Sequence, residues 1–259
     1  KNILYYCHTI PRYLFDQKEE YEKKIPKIML YTYQFMTSRF KRAYLRDLSQ
    51  IENLLTNSSN TQKRIKNFTG RNAEILYPPV DTAFFKPGES PEKWDYFLSF
   101  ARLSSIKRVD RIVSAFQGMP DKKLIITYGK NDPEKNKIQE MTQGYQNIEM
   151  RESPSDTELR ELIRGARATI YVPVDEDFGM SPVESMACGT PVIAVNDGGL
   201  KESIIDGKTG ILINSRCMPE DITEAVKRMD TFGDISLACI QRGADFSLIK
   251  FEQQLRTYL

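Results

Sequence analysis

The residues best suited to chemistry lie in the second half of the chain, where Asp175-Glu176-Asp177-Phe178-Gly179-Met180-Ser181-Pro182-Val183-Glu184 joins an apolar run to a helical one. Glu176 falls in the loop, and Glu184 lies two turns into a helix expected to begin near Gly179. The two carboxylates would line one wall of a crevice, separated enough to hold the two ends of a long ligand through its hydroxyls. Between them, the backbone N–H groups of Phe178, Gly179 and Met180 at a helix N-terminus form an anion site, and Gly179 lets a ligand approach without a Cβ in the way. Arg102 and Lys107 follow an earlier apolar run, five residues apart. Both suit a polyphosphate, arginine as a planar fork and lysine as a point charge. Each signal alone has a plain structural alternative: solvated surface charges, or helix capping by Asp175 or Asp177. His8, the one histidine, is either a satisfied polar residue or a group facing a ligand. Arg12 either braces that loop or meets an acceptor.

The elements that must position these residues alternate. Expected strands are 2–7, 51–55, 73–77, 96–101, 123–128, 147–150, 168–174, 191–195 and 211–213. Helices are expected at 27–47, 61–68, 109–116, 133–143, 157–164, 181–188 and 200–205, then near 219–230, 234–243 and 247–257. In 27–47, Met29, Tyr33, Met36, Phe40 and Tyr44 recur every three or four residues, the spacing of a core-facing stripe. Near-continuous apolar strands between helices imply a parallel sheet covered on both faces, with ligands at the carboxyl ends of its strands near the topological switch point. Pro78-Pro79 stops one series and opens a connector before the next.

Composition narrows the classes. The 259 residues carry 37 basic and 35 acidic side chains, net +2, without the field of a dedicated nucleic-acid binder. No apolar run approaches the roughly 20 residues that span a bilayer. Four dispersed cysteines read as reduced thiols of a cytoplasmic protein. A single histidine rules out zinc sites built on two or three histidines, and no G-x-G-x-x-G marks a dinucleotide site. Two sequons, at Asn57 and Asn67, are read as chance matches. The basic stretch 39–46 reads as a solvated helix face, with peripheral contact with an anionic membrane as the alternative.

Glu176-Asp177-Phe178-Gly179-Met180 followed by Glu184-Ser185-Met186-Ala187-Cys188-Gly189-Thr190-Pro191 resembles the donor-site signature of family-four glycosyltransferases, which are retaining enzymes of GT-B architecture. Tyr6-Cys7-His8-Thr9-Ile10-Pro11-Arg12-Tyr13, Tyr77-Pro78-Pro79-Val80-Asp81, Gly198-Gly199-Leu200-Lys201-Glu202 and Asp206-Gly207-Lys208-Thr209-Gly210 match further segments in order. The resemblance covers the whole chain and points to mannosyltransferases of surface-polysaccharide or lipopolysaccharide synthesis. It implies that Arg102 and Lys107 neutralise the leaving diphosphate. The amides of Phe178, Gly179 and Met180 would hold phosphate and sugar hydroxyls. Glu176 would bind the donor sugar, Glu184 the ribose, and His8 would face the sugar from the other domain. The donor would be GDP-mannose or a UDP-hexose and the acceptor a glycan or lipid-linked sugar, with no metal or other cofactor. Retention would use the donor phosphate as base, unlike the paired carboxylates of a retaining glycosidase.

The fold expected is therefore α/β and GT-B type. A partial N-terminal Rossmann-like domain (1–80) leads through a linker (81–93) to a complete nucleotide-sugar domain (94–245), and a terminal helix (246–259) returns toward the first. The short first series implies that two or three βα units, roughly 60–100 residues, precede it. Where the family usually has a glycine after the 147–150 strand, this chain has Arg151-Glu152-Ser153-Pro154, which leaves the donor base open. Two other readings share the architecture: a nucleotide-sugar-binding module without turnover, and a GT-B sugar-nucleotide epimerase or hydrolase.

Overall fold

A computed structural model describes residues 3–88 and 95–259. Residues 89–93 of the expected linker, residue 94 and the first two residues lie outside the described residues. The chain divides into two units, one running to Tyr77 and including Glu252–Leu259, the other Pro78–Phe251.

The first unit runs β1 (Leu4–Cys7), a 3-10 turn at Arg12–Leu14, α1 (Lys18–Glu22), α2 (Lys27–Ser49), β2 (Asn53–Thr56), α3 (Ser59–Thr69) and β3 (Glu74–Ile75). The three strands pair in parallel in the order β1-β2-β3. The polar cluster after β2 caps α3, with Ser58 Oγ accepting from the Thr61 amide at 3.0 Å, and the helix ends at Gly70 in the left-handed conformation, φ 74°. Asn57 is buried and donates to the His8 carbonyl at 2.9 Å, so the first sequon is a packing residue. Arg12 forks onto Asp16 through Nε at 3.0 Å and a terminal nitrogen at 2.8 Å, and Arg64 meets the same carboxylate at 3.3 Å. Arg12 thus braces its own loop.

The core-facing stripe expected on 27–47 is corrected. Thr37 and Leu48 are the buried residues of α2, while Met29, Met36 and Phe40 are exposed and Tyr33 and Tyr44 half-buried. The core of this unit gathers Cys7, Ile10, Leu14, Phe15, Leu54 and Ile65 and meets α2 at Tyr44, Leu45 and Leu48. Periodicity marked the helix, but a three-stranded sheet covers only its C-terminal end.

The second unit alternates strand and helix through β9 and ends in consecutive helices: β4 (Tyr96–Ser99), a 3-10 turn at Ser105–Lys107, α4 (Val109–Gln117), β5 (Lys123–Tyr128), α5 (Lys135–Thr142), β6 (Ile148–Glu152), α6 (Asp156–Gly165), β7 (Ala168–Tyr171), α7 (Met180–Ala187), β8 (Val192–Val195), α8 (Leu200–Ser203), β9 (Gly210–Ile213), α9 (Pro219–Thr231) and α10 (Ser236–Ala244), then α11 (Leu248–Leu255) across the division between units. Its six parallel strands lie in the order β6-β5-β4-β7-β8-β9. Every residue of β4, β7 and β8 is buried, as helices on both faces require. All four cysteines are buried free thiols. Ser153 adopts a positive φ of 46°, so the position after β6 keeps a glycine-type conformation although its residue is serine.

Candidate nucleotide-sugar site

In the order β6-β5-β4-β7-β8-β9 the chain reverses direction across the sheet between β4 and β7, and ligands of open α/β sheets bind outside the carboxyl ends of strands at that switch point. The Arg102/Lys107 loop leaves β4 there and the Glu176 loop leaves β7. Strand β7 stops at Tyr171, three residues earlier than its apolar run suggests. Pro173 cannot donate to a ladder, and the chain turns out to meet the other loop, with the Val174 amide donating to the Ile106 carbonyl at 2.8 Å.

Arg108 secures that junction. It sits at φ 52°, ψ 36°, a left-handed conformation costly for a non-glycine residue. Its buried guanidinium donates to the carbonyls of Val172 (2.7 Å), Pro173 (2.8 Å) and Ser215 (2.9 Å). Lys107, one residue earlier, is thereby aimed across the switch point. Its Nζ lies 2.6 Å from Tyr171 Oη and 2.6 Å from Glu176 Oε2, and 4.9 Å from the centre of the Tyr171 ring. Burial, reinforced by the Glu176 charge, raises the Tyr171 hydroxyl above its usual range, so it stays neutral and donates or accepts as needed.

The loop ends where Gly179, at φ 87°, precedes the first residue of α7. The N-cap residue is Gly179 itself, which has no side chain to cap the helix. A Cβ at Gly179 would stand 2.5 Å from Leu200 Cδ2 and 3.6 Å from both Glu176 Cγ and Tyr171 Cε1. Backbone closeness also explains Gly198-Gly199: a Cβ on either would collide with the Glu176 or Asp177 carbonyl, and the Gly199 amide donates to Glu176 O at 2.9 Å. Asp197 holds the other end of the loop by accepting from the Asp175 amide at 3.1 Å. Behind the site, α7 packs tightly on α10, where a Cβ at Gly243 would approach Ala187 Cα to 2.7 Å. Glu184 lies on α7 half-buried, and burial pushes its carboxyl up to about 7.

Of the residues singled out from sequence, Lys107, Glu176 and the Phe178-Gly179-Met180 turn converge, with Glu184 on the helix that follows. The Phe178 side chain itself is buried, its ring 5.4 Å from Phe246, so only its backbone serves the turn. Met180 is exposed. Arg102 is not part of the Lys107–Glu176 cluster. Its side chain is 68% exposed and its Nε lies 3.7 Å from Asp132. His8 belongs to the first unit, exposed and edge-on to Tyr6 at 4.7 Å. Sequence reasoning missed Tyr171, Arg108 and Asp197. Tyr171 lay inside an apolar strand and Arg108 next to Lys107 in the loop, so nothing in the spacing marked either. Among the described residues no group of three or more His, Cys, Asp or Glu side chains is gathered as a metal site.

The parallel α/β architecture, with a Rossmann-like domain, matches solved glycosyltransferases of the GT-B kind. The chain belongs to the glycosyl transferases group 1 family, whose model matches residues 80–243. It is 28% identical to an alpha-1,3/1,6-mannosyltransferase of Mus musculus, covering 100% of this chain and 68% of that protein. To a D-inositol 3-phosphate glycosyltransferase of Nocardiopsis dassonvillei it is 26% identical over 70% of this chain, spanning only 48% of the relative's length. A sucrose-phosphate synthase from Thermosynechococcus elongatus superimposes with a TM-score of 0.75 at 18% identity, covering 84% of this chain and 60% of that one. An Anabaena protein solved in complex with UDP-glucose does so at 0.73 and 18% identity, covering 84% and 66%.

Proposed function

We propose that this chain binds a nucleotide sugar at the β4–β7 switch point and transfers its hexose, with retention, to a glycan or lipid-linked acceptor. GDP-mannose is the leading donor, and surface polysaccharide or lipopolysaccharide the leading product class. The observation that carries the reading is Lys107 held at 2.6 Å from Glu176 beside the glycine turn at the mouth of α7. That arrangement puts a cation and helix-end amides where a diphosphate fits, and a carboxylate where sugar hydroxyls fit. The mannosyltransferase relatives and the neighbour solved with UDP-glucose support the donor class.

In this reading Lys107 and Arg102 take up the charge released as the bond between sugar and phosphate breaks, an electrostatic contribution of several kcal/mol. The new bond forms on the face the diphosphate leaves, and the acceptor's hydroxyl proton passes to a phosphate oxygen. Glu176 orients the donor sugar. Glu184, its carboxyl raised by burial, binds the ribose. The cations and amides do the charge-balancing, with no metal required.

Saturation-transfer NMR with GDP-mannose, UDP-glucose, GDP and UDP tests donor binding, and Arg102→Ala with Lys107→Ala should abolish it. If no nucleotide sugar binds the wild-type chain, the proposal fails. Nucleotide release only when an acceptor is present identifies a transferase, and release without one a hydrolase. Binding without any release would favour the module reading, which the partial coverage of the relatives keeps in view.

A further inference from the structure

Tyr171 ends β7 at the switch point, where its backbone is fixed by pairing with Ala194 of β8. Its side chain is buried, and packing alone would accept phenylalanine there. It carries a hydroxyl instead, and a buried hydroxyl needs partners. Here the partners are the two members of an ion pair. The hydroxyl accepts from Lys107 Nζ at 2.6 Å and hydrogen-bonds Glu176, while the same ammonium lies 2.6 Å from Glu176 Oε2. The ring also backs the glycine turn, since a Cβ on Gly179 would stand 3.6 Å from Tyr171 Cε1. One packed side chain thus meets the loop after β4, the loop after β7 and the mouth of α7.

We propose, resting on the nucleotide-sugar reading of this site, that Tyr171 is a positioning residue: its hydroxyl keeps the Glu176 carboxylate aimed at the donor sugar when Lys107 turns to the diphosphate. The Lys107 and Glu176 side chains are 17% and 21% exposed, so an entering ligand can reach both. A lysine ammonium is a point charge with three N–H donors on a flexible stem. A diphosphate therefore competes with Glu176 for it. A carboxylate that gives up its cation in a partly desolvated site also gives up the contact that fixed its direction. Tyr171 does not move with Lys107, because its ring is packed and its strand is paired. Burial first, then the Glu176 and Glu184 charges, keep the proton on its oxygen. It goes on donating to Glu176 after Lys107 has left. Phenylalanine would keep the ring, its packing and the contact of Lys107 with the ring face at 4.9 Å, and would lose only that donated bond.

Tyr171→Phe tests this, with the affinities of GDP, UDP, GDP-mannose and UDP-glucose measured by calorimetric titration. Lys107 and Glu176 remain paired in that variant, so it should melt within about 3 °C of wild type. For the nucleotide that the wild-type chain binds, the free diphosphate should bind Tyr171→Phe within about twofold of wild type. The nucleotide sugar should bind about tenfold to a hundredfold more weakly, the worth of a hydrogen bond to a charged group. Glu176→Ala should show the same split, and adding Tyr171→Phe to it should cost nothing further, because the hydroxyl acts through that carboxylate. Lys107→Ala should instead weaken both ligands. In the ligand-free chain the carboxyl-carbon NMR resonance of Glu176, assigned by its loss in Glu176→Ala, should shift in Tyr171→Phe. Unchanged nucleotide-sugar affinity in Tyr171→Phe, equal weakening of diphosphate and nucleotide sugar, an unmoved Glu176 resonance, or losses that add to those of Glu176→Ala each overturn the proposal. A wild-type chain that binds none of the four ligands overturns the donor-site reading itself, and this role of Tyr171 with it.

Discussion

Arg108 offers the sharpest test of how the site is held. Replacing it with lysine keeps the charge and the left-handed backbone but removes the planar fork that reaches the carbonyls of Val172, Pro173 and Ser215 at 2.7, 2.8 and 2.9 Å. A lysine ammonium satisfies one of those three separated oxygens and leaves two carbonyls without a donor, at least one of them buried. At about 1–2 kcal/mol for each stranded group, the loss is about 2–4 kcal/mol. For a unit of this size that lowers the melting temperature by about 5–12 °C. The damage should also reach function, since the freed segment leads directly into Glu176 and is stitched to Lys107's own loop. Nucleotide-sugar affinity should fall about tenfold or more, as expected when a preorganised loop must be reordered on binding. Arg108→Gly separates strain from clamp, because glycine relieves about 1 kcal/mol of left-handed strain while losing all three hydrogen bonds. Circular-dichroism melts and calorimetric titration of the donor give both quantities. If Arg108→Lys melts within about 1 °C of wild type and binds the donor unchanged, the clamp contributes nothing and the reasoning is wrong.

The Glu184 carboxyl, raised to about 7 by burial, binds its proton more tightly in the folded than in the unfolded chain. It should therefore erode stability as pH climbs from the unfolded carboxylate range through about 7, by up to about 3 kcal/mol. Glu184→Gln should flatten that slope in urea melts across pH, matching wild type at low pH and exceeding it at pH above 7; an unchanged slope would assign it elsewhere. Gly199→Ala drives a Cβ into the Asp177 carbonyl, displacing backbone that no side-chain rotation can relieve. Donor binding should be lost or the unit destabilised by about 3 kcal/mol or more, far beyond a typical surface substitution. Ser58→Ala removes a buried N-cap bond of 3.0 Å to Thr61, costing about 1–2 kcal/mol in thermal melts, while donor affinity measured below the melting range stays as in wild type.

Much of the site was legible because its chemistry is local. Glu176, Gly179 and the start of α7 are near neighbours in the chain, so a turn, a helix mouth and a carboxylate could be read from ten consecutive residues. Lys107 was legible as a cation after a strand. The expected strand 168–174 was too long because apolar character continues past Pro173 while hydrogen bonding cannot. The stripe on α2 misled for the opposite reason. Period-3.6 spacing reports that a helix has an apolar face, and says nothing of whether a sheet lies against it.

By itself the sequence determined the α/β alternation, the element positions to within a few residues and the identity of the glycine turn, because those follow from period, proline and turn chemistry within short windows. The order β6-β5-β4-β7-β8-β9 was decided only by the tertiary structure, since pairing between β4 and β7 depends on how segments some 70 residues apart pack. So were Lys107's partners. Tyr171 and Glu176 meet it across separations of 64 and 69 residues, where only the folded sheet sets the distance. The same holds for Arg108, whose three carbonyl partners come from two distant loops.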